Sequence, residues 1–224
     1  SYICETPEVL RNIICNRKEI TEQFTAYAKD KDIQQIYVLG SGTSYHAGLS
    51  AKNYLEELLG TKVFCMYPTQ FERSEKVFNK HTLVIGMSQG GQSLSTVAGL
   101  DAARKQGLYT AAVSENPSAL IFEHADTRTL IQVGNEQCGA KTKGYAGTTV
   151  TLMMMLTELA LEKGIVSKEK AEAYFERMYR VIDNLGNVTK AAVEWYGRIR
   201  DEFFPQKGLL LWDMTHVCRR IGGR

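Results

Sequence analysis

The sequence predicts an α/β fold: a three-layer sandwich on a five-stranded parallel sheet, followed by C-terminal helices. Three observations lead there. Five short, β-rich apolar runs alternate with segments of helical period between residues 35 and 133. The first run, Ile36 to Leu39, is apolar without interruption, as a strand covered on both faces requires. Gly60 and Gly107 stand where helices between the runs have to stop.

In chain order, Thr6, Pro7 and Glu8 read as a helix start: a cap, a proline at the first helical position and an acid near the positive dipole end. Val9, Leu10, Ile13, Ile14, Ile20 and Phe24 then recur at helical spacing, so residues 1–30 are expected to hold one N-terminal helix. The expected strands are Gln35–Leu39, Val63–Tyr67, Thr82–Met87, Leu108–Val113 and Thr129–Val133. Helical segments Tyr45–Leu58, Ser93–Gln106 and Ser118–His124 separate them. A Leu- and Met-rich helix, Thr142–Lys163, follows and ends at Gly164. Ser167 caps a last helix whose stripe is Tyr174, Phe175, Met178, Val181, Ile182 and Leu185, continuing toward Arg200. The sequence shows no internal repeat and no low-complexity segment.

The 224 residues correspond to about one and a half typical domains. A hydrophobic fraction of 44% with 23% charged residues fits a packed core and argues against disorder. Net charge of +2 gives no basic surplus for nucleic acid. The longest apolar run, near Val150–Leu156 and interrupted by Thr151, is far shorter than the ~18 residues a membrane span needs. The N-terminal residues lack the basic flank and apolar core of a signal peptide. The five cysteines (Cys4, Cys15, Cys65, Cys138 and Cys218) include no C-x-x-C pair, so a reducing, cytoplasmic compartment is expected and no metal site.

Two loops carry the chemistry. The first strand runs into Gly40, Ser41, Gly42, Thr43, Ser44 and Tyr45; the third into Ser88, Gln89, Gly90, Gly91, Gln92 and Ser93. Both lie at carboxyl ends of parallel strands and both open helices, where open α/β sheets bind ligands. Small residues let backbone N–H groups approach an anion, helix N-termini add partial positive charge, and Ser41, Thr43, Ser44, Ser88 and Ser93 add hydroxyls. This describes a phosphate cradle of neutral donors. A P-loop is excluded by the absence of G-x-x-x-x-G-K-[ST]. A dinucleotide fingerprint lacks its third glycine, replaced by Tyr45, and its ribose-binding acid near Phe64–Tyr67. Gly86 to Gly90 matches the G-x-S-x-G elbow of serine hydrolases at Ser88, but no His-Gly-Gly segment accompanies it, and the histidines after it are His124 and His216.

On these residues the sequence resembles the sugar isomerase (SIS) domain family, in particular the first SIS domain of glucosamine-6-phosphate synthases and fructosamine-6-phosphate deglycases. The motifs are Gly40 to Gly48, Ser88 to Ser93, and Glu136 to Tyr145, and the likeness covers about residues 5–200. The resemblance implies phosphate or sugar contacts for Thr43 and Ser44, with Ser41 in the place of the family's cysteine and Gly42 between them. It carries Ser88, Gln89 and Ser93 over as phosphate ligands. Gly90 stands where the family has a serine, and Gln92 where it has a glutamate. In the third segment Glu136, Ala140, Thr142 and Lys143 match, while Lys141 replaces a serine that approaches the sugar ring, and so places a charge beside the ligand. The other marked residues read as structural: His46 as packing, His81 and His124 as surface positions, Cys138 as an ordinary buried thiol. Lys141 and Lys143 read either as a solvated pair or as groups that orient the substrate.

The resemblance implies a phosphosugar-binding protein of isomerase or deglycase type, with a hexose 6-phosphate or its amine adduct as ligand, no cofactor, and a homodimer. The alternatives are a sugar-phosphate sensing module without catalysis and the serine hydrolase. The family's catalytic glutamate, in a Glu-Gly-x-x-Lys segment of a second SIS domain, has no counterpart here, and the catalytic residue is left unassigned. The expected organisation is an N-terminal helix (1–30), the SIS domain (31–165), a helical extension (166–205), and at 206–224 the truncated start of a second SIS domain. Lys207–Leu211 reads as the opening strand of that domain, without the glycine-rich loop that should follow. Read from the last base of the Leu211 codon, if that base is G, the shifted frame gives a strand-to-loop sequence, so the residues after it read either as an out-of-frame tail or as a genuine short one.

Overall fold

The computed structural model describes residues 1–74, 78–139, 141–203, 208–211 and 219–222. The elements are α1 (Tyr2–Cys15), α2 (Arg17–Ala28), β1 (Gln35–Leu39), α3 (Thr43–Leu59), β2 (Lys62–Met66), α4 (Pro68–Ser74), β3 (Thr82–Met87), α5 (Leu94–Lys105), β4 (Tyr109–Ser114), a 3-10 helix (Leu120–His124), β5 (Thr127–Leu130), α6 (Lys143–Glu162) and α7 (Lys168–Phe203). The first five strands make one parallel sheet in the order β2-β1-β3-β4-β5. Residues 1–183 form one compact unit. The second unit, 184–224, contains the rest of α7 and an antiparallel pair, β6 (Gly208–Leu211) with β7 (Arg219–Gly222).

The sheet is covered on both faces, which is why its central strands read as unbroken apolar runs; every residue of β3 is buried. Pleating sends Tyr37 and Leu39 of β1 into a cluster with Phe71 of α4, Val84 of β3 and Ala103 of α5. Val38 points the other way, toward Gly48 of α3. Helices α2 and α3 lie on that second face with α6 packed against both, and α1 packs against α6. Leu58, Ala160, Val166, Ala171 and Tyr174 form a further cluster that seats the start of α7. No described helix is long and apolar enough to cross a membrane.

Strands β1 and β3 have the expected limits, and the class is the predicted one. Four local readings change. The N-terminal helix starts at Tyr2, not at Thr6. Thr6 is buried and donates its hydroxyl to the Tyr2 carbonyl at 2.9 Å, and Pro7 lies inside the helix. The helix is also two helices, because Asn16 leaves helical geometry (φ −93°, ψ 15°) between them. Strand β5 covers 127–130 rather than 129–133: Ile131 and Val133 are buried in the following loop, so their apolarity signals core and not strand. Helix α4, with Pro68 at its first position, adds an element between β2 and β3 that the sequence reading lacks. Of the residues after Leu211 that carry the frame-shift reading, 212–218 lie outside the described residues, while Arg219 and Arg220 belong to β7.

Candidate functional site

Strands β1 and β3 are neighbours in the sheet, so the loops leaving their carboxyl ends are neighbours too. Their helices pack on opposite faces, α3 against β2 on one and α5 with α4 on the other. The order of connection therefore reverses between these strands, and the loops part to leave a crevice.

The first loop turns through Gly42 (φ 56°) into α3, and no side chain caps that helix. Ser44 N–H donates to the Ser41 carbonyl at 3.2 Å, and His46 N–H to the Gly42 carbonyl at 3.2 Å. Ser41 and Thr43 are exposed and Ser44 is buried. Tyr45, where a dinucleotide fold has glycine, stacks on Tyr67 with ring centroids 4.4 Å apart, and both flank the loop.

The second loop is held from below by the end of β4. Gln89 carbonyl accepts from the Ser114 hydroxyl at 2.9 Å and from the Glu115 N–H at 3.0 Å. The Gln89 side chain, buried, donates to the Glu115 carboxylate at 2.8 Å. Gly91 adopts φ 76° and a Cβ there would meet Ala119 Cβ at 2.2 Å, so the turn requires glycine on two counts. Ser88 is half-buried and Gly90 exposed. Ser93 caps α5: its oxygen accepts from Thr96 N–H at 3.3 Å and from the Thr96 hydroxyl at 3.0 Å. Ser114 and Glu115 escaped sequence reading, since polar residues ending an apolar strand have no periodic signature.

The third segment closes the crevice. Gly144 lies so close to Gln89 that a Cβ would stand 1.8 Å from Gln89 Nε2. Tyr145, one residue on, shares a 2.6 Å hydrogen bond with Ser50 of α3. All three motifs therefore meet at one edge of the sheet. Glu136, 3% exposed, organises this segment. Its Oε1 accepts from Thr142 N–H (2.8 Å) and the Thr142 hydroxyl (2.7 Å), and its Oε2 from Gly144 N–H (2.8 Å). Burial raises the Glu136 pKa, but those donors and the nearby Lys141 outweigh it and hold the carboxyl below its ordinary value.

Lys141, half-buried, donates to the Glu136 carbonyl at 2.6 Å. Lys143 is not solvated: it is buried and paired with Glu5 at 2.8 Å. Ala140 lies outside the described residues. Cys138 is exposed rather than buried, because it sits on the outer side of a loop without regular structure. His124 is partly buried against Asp101 at 2.8 Å, not a plain surface position. Among the described residues no cluster of His, Cys, Asp and Glu has metal-binding geometry. A cavity of about 460 Å³ lies elsewhere, between α2 and the C-terminal end of α6, with Thr25 and Glu158 in its wall.

Comparison with known proteins bears on family and fold. A family model described as SIS domain matches residues 31–161. The glutamine–fructose-6-phosphate aminotransferase (isomerizing) of Clostridium tetani is 31% identical over 92% of this chain, which covers 36% of that protein. The enzyme of the same name from Gloeobacter violaceus is 34% identical over 62% of this chain and 23% of its own length. The chain thus spans about a third or less of these relatives. Among solved structures, an inferred phosphosugar isomerase of Clostridium difficile 630 superposes with a TM-score of 0.82 at 36% identity, covering 89% of this chain and 56% of that one. The C-terminal domain of glucosamine-fructose-6-phosphate aminotransferase from Francisella tularensis has the same fold (TM-score 0.74, 21% identity, 86% of this chain and 55% of that one).

Proposed function

The chain belongs to the SIS domain family, and on that premise we propose that it binds a phosphosugar in the crevice between the β1 and β3 loops, as part of an isomerase or deglycase of amino-sugar phosphates. One observation carries this reading. Two loops of small and hydroxyl-bearing residues meet at the sheet edge, and the helix behind the first has no side-chain cap. That leaves N–H groups and dipole for an anion, with no lysine required.

In this reading the phosphate sits on Ser41, Gly42, Thr43 and Ser44 from one side and on Ser88, Gln89, Gly90 and Ser93 from the other. Ala140 and Lys141 face the sugar. The ligand is a hexose 6-phosphate or its amine adduct, and an added charge at Lys141 favours a ligand with an acidic substituent. The proposed division is an N-terminal segment (1–30), the binding domain (31–165), a helical extension (166–205), and at 206–224 the opening of a second SIS domain. Residues 208–211 form a strand, as that assignment requires of its opening element, although the described partner of this strand is the antiparallel β7. The family's base, a glutamate of a second domain, is then supplied from outside the residues described. A homodimer and a cytoplasmic location complete the proposal; the unpaired, exposed thiols of Cys4, Cys15 and Cys138 fit a reducing compartment.

Thermal unfolding with fructose 6-phosphate, glucosamine 6-phosphate, fructosamine 6-phosphate and inorganic phosphate tests the reading. Saturation at a hundredfold excess over Kd stabilises the native state by about 2.7 kcal/mol. A rise in Tm with the phosphosugars and not with the free sugars is the expected result. No rise with any of them refutes it, and hydrolysis of an aryl ester lost on Ser88→Ala establishes the hydrolase instead.

A further inference from the structure

The first turn of α1 carries none of the ligand groups, yet two of its side chains reach the third segment. The Tyr2 hydroxyl accepts from Gln137 N–H at 3.0 Å. Glu5 accepts from Lys143 Nζ at 2.8 Å, and the same ammonium lies 4.9 Å from the centre of the Tyr2 ring. Lys143 is an unusual residue for its place. Its side chain is 6% exposed, and it is the first residue of α6, where the helix dipole opposes a cation. Burial and dipole both make this a costly place for a cation, and Glu5 and the ring face offset that cost. Both partners of the ammonium therefore belong to α1. From inside, the segment is fastened by Glu136; from outside, by Tyr2 and Glu5.

We propose that Tyr2 and Glu5 are positioning residues: the first turn of α1 is a latch that sets the place of residues 136–139 and 141–144, and phosphosugar affinity depends on it. The latch itself rests on geometry alone. Its effect on affinity rests on the function proposed above.

Glu5→Gln and Tyr2→Phe, made singly in the full chain, test it by backbone amide exchange and by calorimetric titration with fructose 6-phosphate. Glu5→Gln is expected to speed exchange at residues 136–144 by about tenfold, equivalent to about 1.4 kcal/mol. Tyr2→Phe is expected to speed it by less, chiefly at Gln137. Exchange in β1 and β3 stays at the wild-type rate. Both variants weaken fructose 6-phosphate, and the exchange Glu5→Lys with Lys143→Glu restores protection and affinity together. Unchanged exchange in Glu5→Gln overturns the latch whatever the ligand result. Faster exchange with unchanged affinity overturns the positioning role. If the wild type binds no hexose 6-phosphate, it is the proposed function that fails, and the exchange measurement still decides the latch.

Discussion

Helices α3 and α6 begin at the same edge of the sheet, and their first turns are completed in opposite ways. The start of α3 has glycine before it and no side chain upon it. The start of α6 is filled by the protein's own carboxylate, Glu136, bonded to Thr142 and Gly144. The two ends offer the same dipole, so the difference lies in what already occupies them. In the proposed reading an anion from solution finds a place at α3 and none at α6, so the phosphate is assigned to the first and second loops and the third segment supplies a wall.

Four substitutions probe that contrast. The largest effect is expected at Gly144→Ala. The new methyl overlaps Gln89 Nε2 and must drive it off Glu115. Such overpacking costs about 1–3 kcal/mol, and the displaced loop should lose most phosphosugar affinity. Equal affinity in thermal-shift titrations would separate the third segment from the second loop. Next comes Glu136→Gln, which removes a charged acceptor of N–H groups worth about 1.5–3 kcal/mol. Because the folded pKa of Glu136 is depressed below the ordinary 4.5, its contribution is complete above that value and is lost as pH falls beneath it. The wild type should lose Tm in that acid range, and the variant should lose less; parallel acid limbs would show Glu136 to be an idle cap.

Ser93→Ala removes the cap of α5 and should lower stability by about 1 kcal/mol, measured by urea unfolding. A further loss of affinity beyond that would show the hydroxyl serving cap and ligand at once. Ser88→Ala is the mildest for the fold, since its side chain is only half-buried. Its unfolding free energy without ligand should stay within about 0.5 kcal/mol of wild type, while its Kd rises about tenfold, as the loss of a hydrogen bond to a charged group predicts.

The layers of this fold were legible because each strand buried on both faces leaves an unbroken apolar run, and each helix between strands has a stop. The site was legible in part for a related reason: loops that must admit an anion are made of small residues, and Gly40 to Ser44 and Ser88 to Gly91 stand out. What could not be read is what depends on contacts distant in sequence. Lys141 and Lys143 look alike in the chain, yet one lies on a carbonyl five residues back and the other on Glu5, 138 residues away. Ser114 and Glu115 brace the second loop from another strand. Thr6 and Pro7 mimic a helix start so well that the real one, with Tyr2, was passed over.

The pairing of β1 with β3 has a consequence for how the molecule comes to exist. Gln35 stands beside Thr82, so the strands that frame the crevice meet only after the chain between them has been brought round. Parallel pairing across such a separation is slow, because loop closure precedes any reward from contact. Until it happens, two apolar segments have unpaired edges and nothing resembling an anion cradle exists. A ligand of this crevice therefore recognises only finished molecules: it is expected to retard unfolding and to leave the folding rate unchanged.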